Sequence, residues 1–239
     1  MQDRLAGTIA PVLSISLDPG ESVVAEAGEF SWMTDSIQMA AVAPGAPGAP
    51  GAGASRGGAS GASGAGGASG DEDALSLSRF TAKGSAGTIA FACKQPGRIL
   101  GVDISPGTEY LVHRHGFLAG TSGIQIRSGF RQSFSTGIYA GPGGFGLHRV
   151  AGTGRAWIEL AGETVRFELA AGESLRAHPG HVGMFAASVA FQLTRVPGIA
   201  NRYFGHNTHH FAVLSGPGPV WLQSVPMPAL TTQPALPPG

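Results

Sequence analysis

Two histidines one residue apart come closest, by type and spacing, to a chemical site in this sequence. In Gly107-x5-His113-x-His115, alternate positions on one strand would place both imidazoles on the same face. Imidazole nitrogen binds transition metals, and this spacing matches the first half of the cupin metal motif. The pattern therefore supports one hypothesis: a metal-dependent, cupin-like enzyme or small-ligand binder that uses His113 and His115.

The second half of that motif should supply a glutamate a few residues later and another histidine from a later strand. The residues that follow, 116–120, contain no acid, and the histidines around Pro179 have a different spacing. His148 and the His209-His210 pair could contribute only if the fold brings them close. We therefore predict no metal and no cofactor. The weak candidates for metal ligands are His113, His115, His178 and His181.

Other catalytic patterns are absent or explained by turns. Gly141-x-Gly143-x-x-Gly146 matches the dinucleotide fingerprint by letter, but a strand-like segment follows it where the fingerprint needs a helix, so we interpret it as a glycine loop. No Gly-x-Ser-x-Gly elbow occurs, and no carboxylate pair suggests acid–base catalysis. Glu21 and Glu173 occupy matching turn positions, where turn hydrogen bonds are the expected role. We predict no catalytic residues.

Composition excludes several classes of partner and site. Charged residues make up 13% of the chain and the formal net charge is zero, so there is no basic surface for nucleic acid. The single cysteine, Cys93, excludes an internal disulfide and is expected to be a small buried residue. No signal peptide and no membrane-spanning stretch is recognised, so a cytoplasmic protein is expected.

The elements that must position these residues are predicted to be strands. Residues 7–17 alternate apolar and small polar side chains, and Pro19-Gly20 then signals a turn. Apolar residues elsewhere also recur at a spacing of two, and glycine is too frequent for amphipathic helices. The fold class is therefore all-β. Trp32, Trp157 and Trp221 are expected to be core or interface residues.

Two segments depart from this pattern. Residues 44–70 contain only Gly, Ala, Ser and Pro apart from Arg56. Because such a segment has almost no large side chain to bury, we predict a disordered insert between two strands. Residues 226–239 are rich in proline and are predicted to be a flexible tail.

A recurring corner organises the rest of the chain. The segment 15–30 recurs at 167–182, and a weaker copy lies at 103–117. Gly20 and Gly107 are 87 residues apart and Gly107 and Gly172 are 65 apart, and removing the 27-residue insert shortens the first interval to 60. We predict three tandem repeats of a short double-stranded β-helix or β-sandwich module around a pseudo-threefold axis, at 1–86, 87–151 and 152–225.

Several of these landmarks resemble those of one family. They are Leu17-x-Pro19-Gly20-Glu21, Ser78–Ala82, Pro96–Ile99, Gly172–Leu175 and Gly216–Ser224. Taken together they resemble the family of altered inheritance of mitochondria protein 24. The chain departs from that family in its Gly/Ala-rich insert and in His206-Asn207-Thr208-His209-His210, where a Gly-Glu pair is common.

The resemblance implies a triplicated fold similar to the tryptophan RNA-binding attenuation protein, and it implies self-association. It brings no catalytic residues, and without a transit peptide the mitochondrial role is not expected to transfer. We therefore predict a non-enzymatic, self-assembling scaffold or interaction protein, with a homotrimer favoured. A different protein partner and association with a membrane surface are retained as alternatives, and no nucleic acid is expected.

Overall fold

The chain folds into antiparallel β-sheets, as seen in a computed structural model that describes residues 1–42, 76–132, 145–195 and 210–226. Over these residues there is no α-helix, and the one helical element is a 3-10 turn at Pro179–His181. The predicted all-β class is therefore confirmed. The predicted insert at 44–70, Gly141 and Gly143, residues 206–209 and all but the first residue of the predicted tail lie outside the described residues. No helix in the described part is both long enough and apolar enough to cross a bilayer.

Nineteen strands are described. In chain order they are β1 (Gln2–Ala6), β2 (Val12–Leu17), β3 (Ser22–Glu26), β4 (Trp32–Met33), β5 (Ile37–Ala41), β6 (Leu77–Ala82), β7 (Gly87–Ala92), β8 (Gly97–Ile104), β9 (Tyr110–His113), β10 (Phe117–Thr121), β11 (Ile124–Gln132), β12 (Phe145–Gly152), β13 (Gly154–Ala161), β14 (Thr164–Leu169), β15 (Ser174–Ala177), β16 (Val182–Ala186), β17 (Ala190–Arg195), β18 (His210–Ser215) and β19 (Gly218–Gln223).

These strands form four sheets. The first has the order β1-β2-β7-β4 and the last the order β15-β18-β17. Between them come two six-stranded sheets, β5-β6-β3-β10-β13-β8 and β11-β12-β9-β16-β19-β14. Each six-stranded sheet is held together at its centre by a pair of strands distant in sequence, β3 with β10 and β9 with β16.

Three hydrophobic cores separate the sheets. One contains Ile15 and Phe91 of the first sheet together with Phe80 and Trp157 of the second. Another combines residues of the two six-stranded sheets, including Phe117 and Ile158 of the first and Val112 and Val150 of the second. A further core combines the third sheet, including Phe185, with Leu214 of the last sheet. Strands in the two large sheets therefore bury both faces, which explains the fully buried run 117–120 in β10.

The predicted corners are tight turns with left-handed glycines. Gly20, Gly107 and Gly172 have φ values of +89°, +85° and +85°. Glycine adopts this conformation without a steric penalty from Cβ, and no atom would lie within 4 Å of an added Cβ at these three sites. At two of the corners a glutamate caps the turn: Glu21 accepts the Asp18 amide and Glu173 the Ala170 amide, both at 2.8 Å. The predicted turn role of these glutamates is confirmed.

Candidate functional site

His113 and His115 are neighbours, but they do not share a strand face. β9 ends at His113, and the Gly116 amide donates to the His113 carbonyl at 2.6 Å, so His115 lies in the turn before β10. The His115 amide donates to His113 Nδ1 at 3.4 Å, and the two ring centroids are 5.6 Å apart. The alternate-residue geometry of the cupin comparison is therefore not formed, because the strand turns one residue too early.

The second histidine pair lies after β15. His178 caps the 3-10 turn, where its Nδ1 accepts the Gly180 amide at 3.2 Å. His181 Nδ1 lies 2.8 Å from the carbonyl oxygen of Gln223 in β19. The rings of His178 and His181 are 5.7 Å apart. Each histidine therefore has a backbone hydrogen-bond partner that fixes its position.

His148, in β12, lies close to the end of β3. Its Nδ1 lies 3.7 Å from Glu26 Oε1, at the end of β3. Both atoms are buried and neither has a hydrogen-bond partner. The structure therefore brings a carboxyl close to the third histidine of this region.

No metal centre is formed by the described residues, since no group of three or more His, Cys, Asp or Glu side chains among them is placed to hold an ion. Burial lowers the pKa of His113 to about 3, with smaller contributions from His115 and Arg114. The pKa values of His115 and His148 are lowered to about 4, again mainly by burial and then by Arg114. All three rings are therefore neutral at pH 7.

Most of the buried polar side chains meet at one small cleft. Over the described residues four polar or charged residues are buried, and three of them line this cleft: His113, Glu159 and Gln223. Its other lining residues are Lys94, Gln95, His115, Gly116 and Ala161. The cleft has room for about one water molecule.

Lys94 connects the cleft to the segment between β3 and β4. Its Nζ forms an ion pair with Glu29 at 3.1 Å and donates to the His115 carbonyl, also at 3.1 Å. Its backbone amide donates to Glu159 Oε1 at 2.8 Å. The residue thus joins the loop after β7 to the turn at His115 and to strand β13.

Two carboxyls of this region, the half-buried Glu26 and the buried Glu159, have raised pKa values. Desolvation raises the pKa of Glu26 to about 7, opposed by Lys94 and Arg114. Burial also raises the pKa of Glu159, opposed by Lys94. Burial raises the pKa of the Cys93 thiol to about 12, with a further contribution from Glu159, so this partly buried thiol is unreactive.

Sequence reasoning missed Glu26, Glu159 and Gln223 as parts of this cluster. The signal was present in two similar segments, Gly154–Glu159 and Gly218–Gln223. Each begins with Gly and has Trp as its fourth residue. Both end on a buried polar side chain where a strand of an apolar core would end on an apolar one. The cluster lies where β9 and β13 meet the loop after β7 and the end of β19.

The whole described chain matches one protein family. Residues 4–225 match the family described as Mitochondrial biogenesis AIM24. The chain belongs to this family. The predicted family resemblance is thereby confirmed, and none of the curated proteins matches the chain.

The AIM24 chain also shares its fold with a solved structure. The crystal structure of protein SPYM3_0169 from Streptococcus pyogenes superposes with a TM-score of 0.67 and is 16% identical, over 94% of each chain. At this identity the match shows a common fold. In the AIM24 chain the cleft and its buried carboxyls are therefore built on a fold that tolerates very different sequences.

Proposed function

We propose that this AIM24-family protein is a non-enzymatic scaffold that assembles head to tail with copies of itself, most simply as a ring of three chains. The proposal is carried by two strand edges that have no partner strand among the described residues, although the edges at matching positions elsewhere in the chain are paired. The small size of the cleft and its lack of a metal-binding group among the described residues support a role other than catalysis.

The first support is a repeated pairing pattern. Each of three successive groups of six strands, β2–β7, β8–β13 and β14–β19, pairs its first strand with its sixth and its second with its fifth. In each group the fourth strand also pairs with the fifth, and the third with the sixth. We infer three repeated modules, at 12–92, 97–161 and 164–223. These boundaries differ from the predicted ones because β7, which begins at Gly87, pairs with β2.

Successive modules are joined by the same two strands. The second strand of one module pairs with the third strand of the next, β3 with β10 and β9 with β16. Two strands of this kind have no such partner among the described residues: β4, at the end of the first sheet, and β15, at the end of the last. One chain therefore presents the two complementary halves of its own joint at opposite ends.

Burial supports the same conclusion. Trp32, Ala119 and Met184 occupy matching positions, since each pairs with the fourth residue of the sixth strand of its module. Ala119 and Met184 are fully buried, whereas Trp32 is 55% exposed. A large apolar side chain exposed at a position that is otherwise buried marks a surface that another protein covers. β15 is similarly open, with no fully buried residue.

The joints inside the chain give the register between chains. Val24 pairs with Gly120 and Leu111 pairs with Phe185. Val24, Leu111 and Arg176 each stand four residues after a corner glycine, and Gly120 and Phe185 match Met33. Arg176 of one chain should therefore pair with Met33 of the next. Such a head-to-tail contact closes into a ring when its rotation allows.

A disulfide test addresses this register directly. In a chain with Cys93→Ala, Met33→Cys and Arg176→Cys together should form disulfides between chains, because paired strands hold Cα atoms about 4.5–5.5 Å apart. The matched control pairs Met33→Cys with Glu168→Cys, which lies on the exposed strand β14. Linked chains from the first pair and none from the second are expected.

Light scattering gives the independent measurement. The unchanged chain should have the mass of three copies, and Trp32→Glu should reduce it to one copy with the strand content unchanged. A single-chain mass for the unchanged protein, at all concentrations, would contradict the proposed assembly.

A further inference from the structure

One contact is made twice in the chain, at the two joints between modules. After β7 the Lys94 amide donates to Glu159 Oε1 at 2.8 Å. At the end of β13 the Ala161 amide donates to Gln223 Oε1 at 3.1 Å. Glu159 and Gln223 are both the sixth residue of strands that begin at Gly154 and Gly218. Each side chain therefore ties the end of the preceding module to its own strand.

The two side chains differ in their other polar atom, which is the oxygen Oε2 in Glu159 and the nitrogen Nε2 in Gln223. Gln223 Nε2 donates to the Gly180 carbonyl at 3.0 Å. The position that matches Gly180 is His115, since each stands eight residues after its corner glycine, Gly172 and Gly107 respectively. Its carbonyl accepts from Lys94 Nζ at 3.1 Å. The second carboxyl oxygen of Glu159, Oε2, is buried and has no hydrogen-bond partner.

A carboxylate oxygen can only accept, but a carboxylic acid can donate like an amide. A buried acceptor without a donor costs about 1–3 kcal/mol, and more when it is charged. A proton on Oε2 removes the negative charge and gives the side chain one donor and one acceptor, like the amide of Gln223. We propose that the folded protein keeps the Glu159 carboxyl protonated to a higher pH than the unfolded chain does, so that the contact between modules 1 and 2 weakens as pH rises while the contact between modules 2 and 3 does not.

The surroundings of Glu159 support the neutral form. Glu159 is buried, with only 6% of the residue exposed to solvent. Burial raises the pKa of this carboxyl and the negative charge of Glu29 adds a smaller effect, while the charge of Lys94 and hydrogen bonds from the backbone amides of Lys94 and Gln95 oppose them. The titratable groups that face Glu159 or share its cleft are Lys94, Glu29, Cys93, His113 and His115. The two histidines are neutral at pH 7 and add no positive charge to hold a carboxylate.

The inference concerns joints within one chain, and it does not rest on self-assembly. The test exchanges the two side chains. Glu159→Gln places an amide at the contact between modules 1 and 2, as at the contact between modules 2 and 3. Gln223→Glu places a carboxyl at the contact between modules 2 and 3. The free energy of unfolding is measured by urea titration from pH 5 to pH 9 for the unchanged protein and both variants. Every other titrating group is common to the three chains and cancels in the differences.

A raised pKa makes the acid stabilising below pH 4.5, and that contribution is lost as pH rises to the folded pKa. Glu159→Gln should therefore gain stability over the unchanged protein with rising pH, about tenfold in the folded-to-unfolded ratio for each unit of raised pKa. Gln223→Glu should lose stability in the same direction. Differences that do not change with pH would overturn the proposal.

A measurement on the unchanged protein covers the case in which a variant does not fold. The carboxyl carbon of Glu159, followed by nuclear magnetic resonance, should titrate above pH 4.5. Titration at or below pH 4.5 would show an ordinary ionised glutamate and would overturn the proposal by itself.

Discussion

The carboxyl of Glu26 and the imidazole of His148 face each other at 3.7 Å, a distance within ion-pair range and beyond a hydrogen bond. Burial raises the pKa of Glu26 to about 7 and lowers that of His148 to about 4. Between these values both groups are neutral, so the contact is not an ion pair over that range. The contact links the end of β3 to β12.

Glu26→Gln should stabilise the protein in a pH-dependent way. The folded pKa of Glu26 is raised above 4.5, so its neutral acid is stabilising at low pH and the contribution is lost as pH rises to about 7. At pH 8 the variant should be more stable by about 1–3 kcal/mol, and near pH 4.5 the difference should vanish. Urea unfolding at both pH values measures this. Glu168→Gln, on an exposed strand, is the control and should show little change at either pH.

Acid should destabilise the protein through three histidines. The pKa values of His113, His115 and His148 are lowered to about 3, 4 and 4, so their neutral forms stabilise the fold above pH 6.5. That contribution is lost as pH falls from 6.5 through 4. Unfolding at pH 5 should therefore take up several protons, measurable as the slope of unfolding free energy against pH. His148→Gln should reduce that slope by about one proton, and an unchanged slope would contradict the assignment.

The three corner glycines should respond alike to substitution. Gly20, Gly107 and Gly172 share a left-handed backbone, and an added Cβ meets no atom within 4 Å at any of them. Alanine should therefore cost about 1–2 kcal/mol at each through backbone conformation alone. Asparagine, which tolerates this conformation better, should cost less. Thermal unfolding of the six variants checks this, and a cost confined to one corner would argue against a common geometry.

The purified protein should contain no stoichiometric metal. His113 and His115 lie side by side without a third ligand among the described residues. Elemental analysis of the protein and of His113→Ala tests the cupin-like alternative. A stoichiometric transition metal that is lost in His113→Ala would support that alternative and contradict the scaffold proposal.

Local patterns were sufficient to predict the strands and the corners. The alternation at residues 7–17 becomes β1's partner strand β2, and the Pro19-Gly20 signal becomes a left-handed turn capped by Glu21. Strand alternation and turn chemistry act over a few residues, so a single sequence carries them. The three copies of the corner could be found for the same reason.

The polar cluster could not be predicted in the same way. Glu26 and His148 are 122 residues apart in the sequence and lie in different six-stranded sheets, so their proximity depends on how those two sheets pack together. The histidine spacing suggested a shared strand face, but the hydrogen bond from Gly116 to His113 ends the strand first. The burial of Glu159 depends on its place between two sheets, which no local pattern records.

The hairpin of β5 and β6 has a consequence for how this protein can vary. Ala41 and Ser78 are paired across the ladder, although 36 residues separate them in the chain. Both ends of that segment are therefore fixed at one sheet edge, and loop-closure entropy grows only slowly with length. We therefore expect that changes in the length of this stretch, including a domain grafted into it, leave the register between β5 and β6 unchanged.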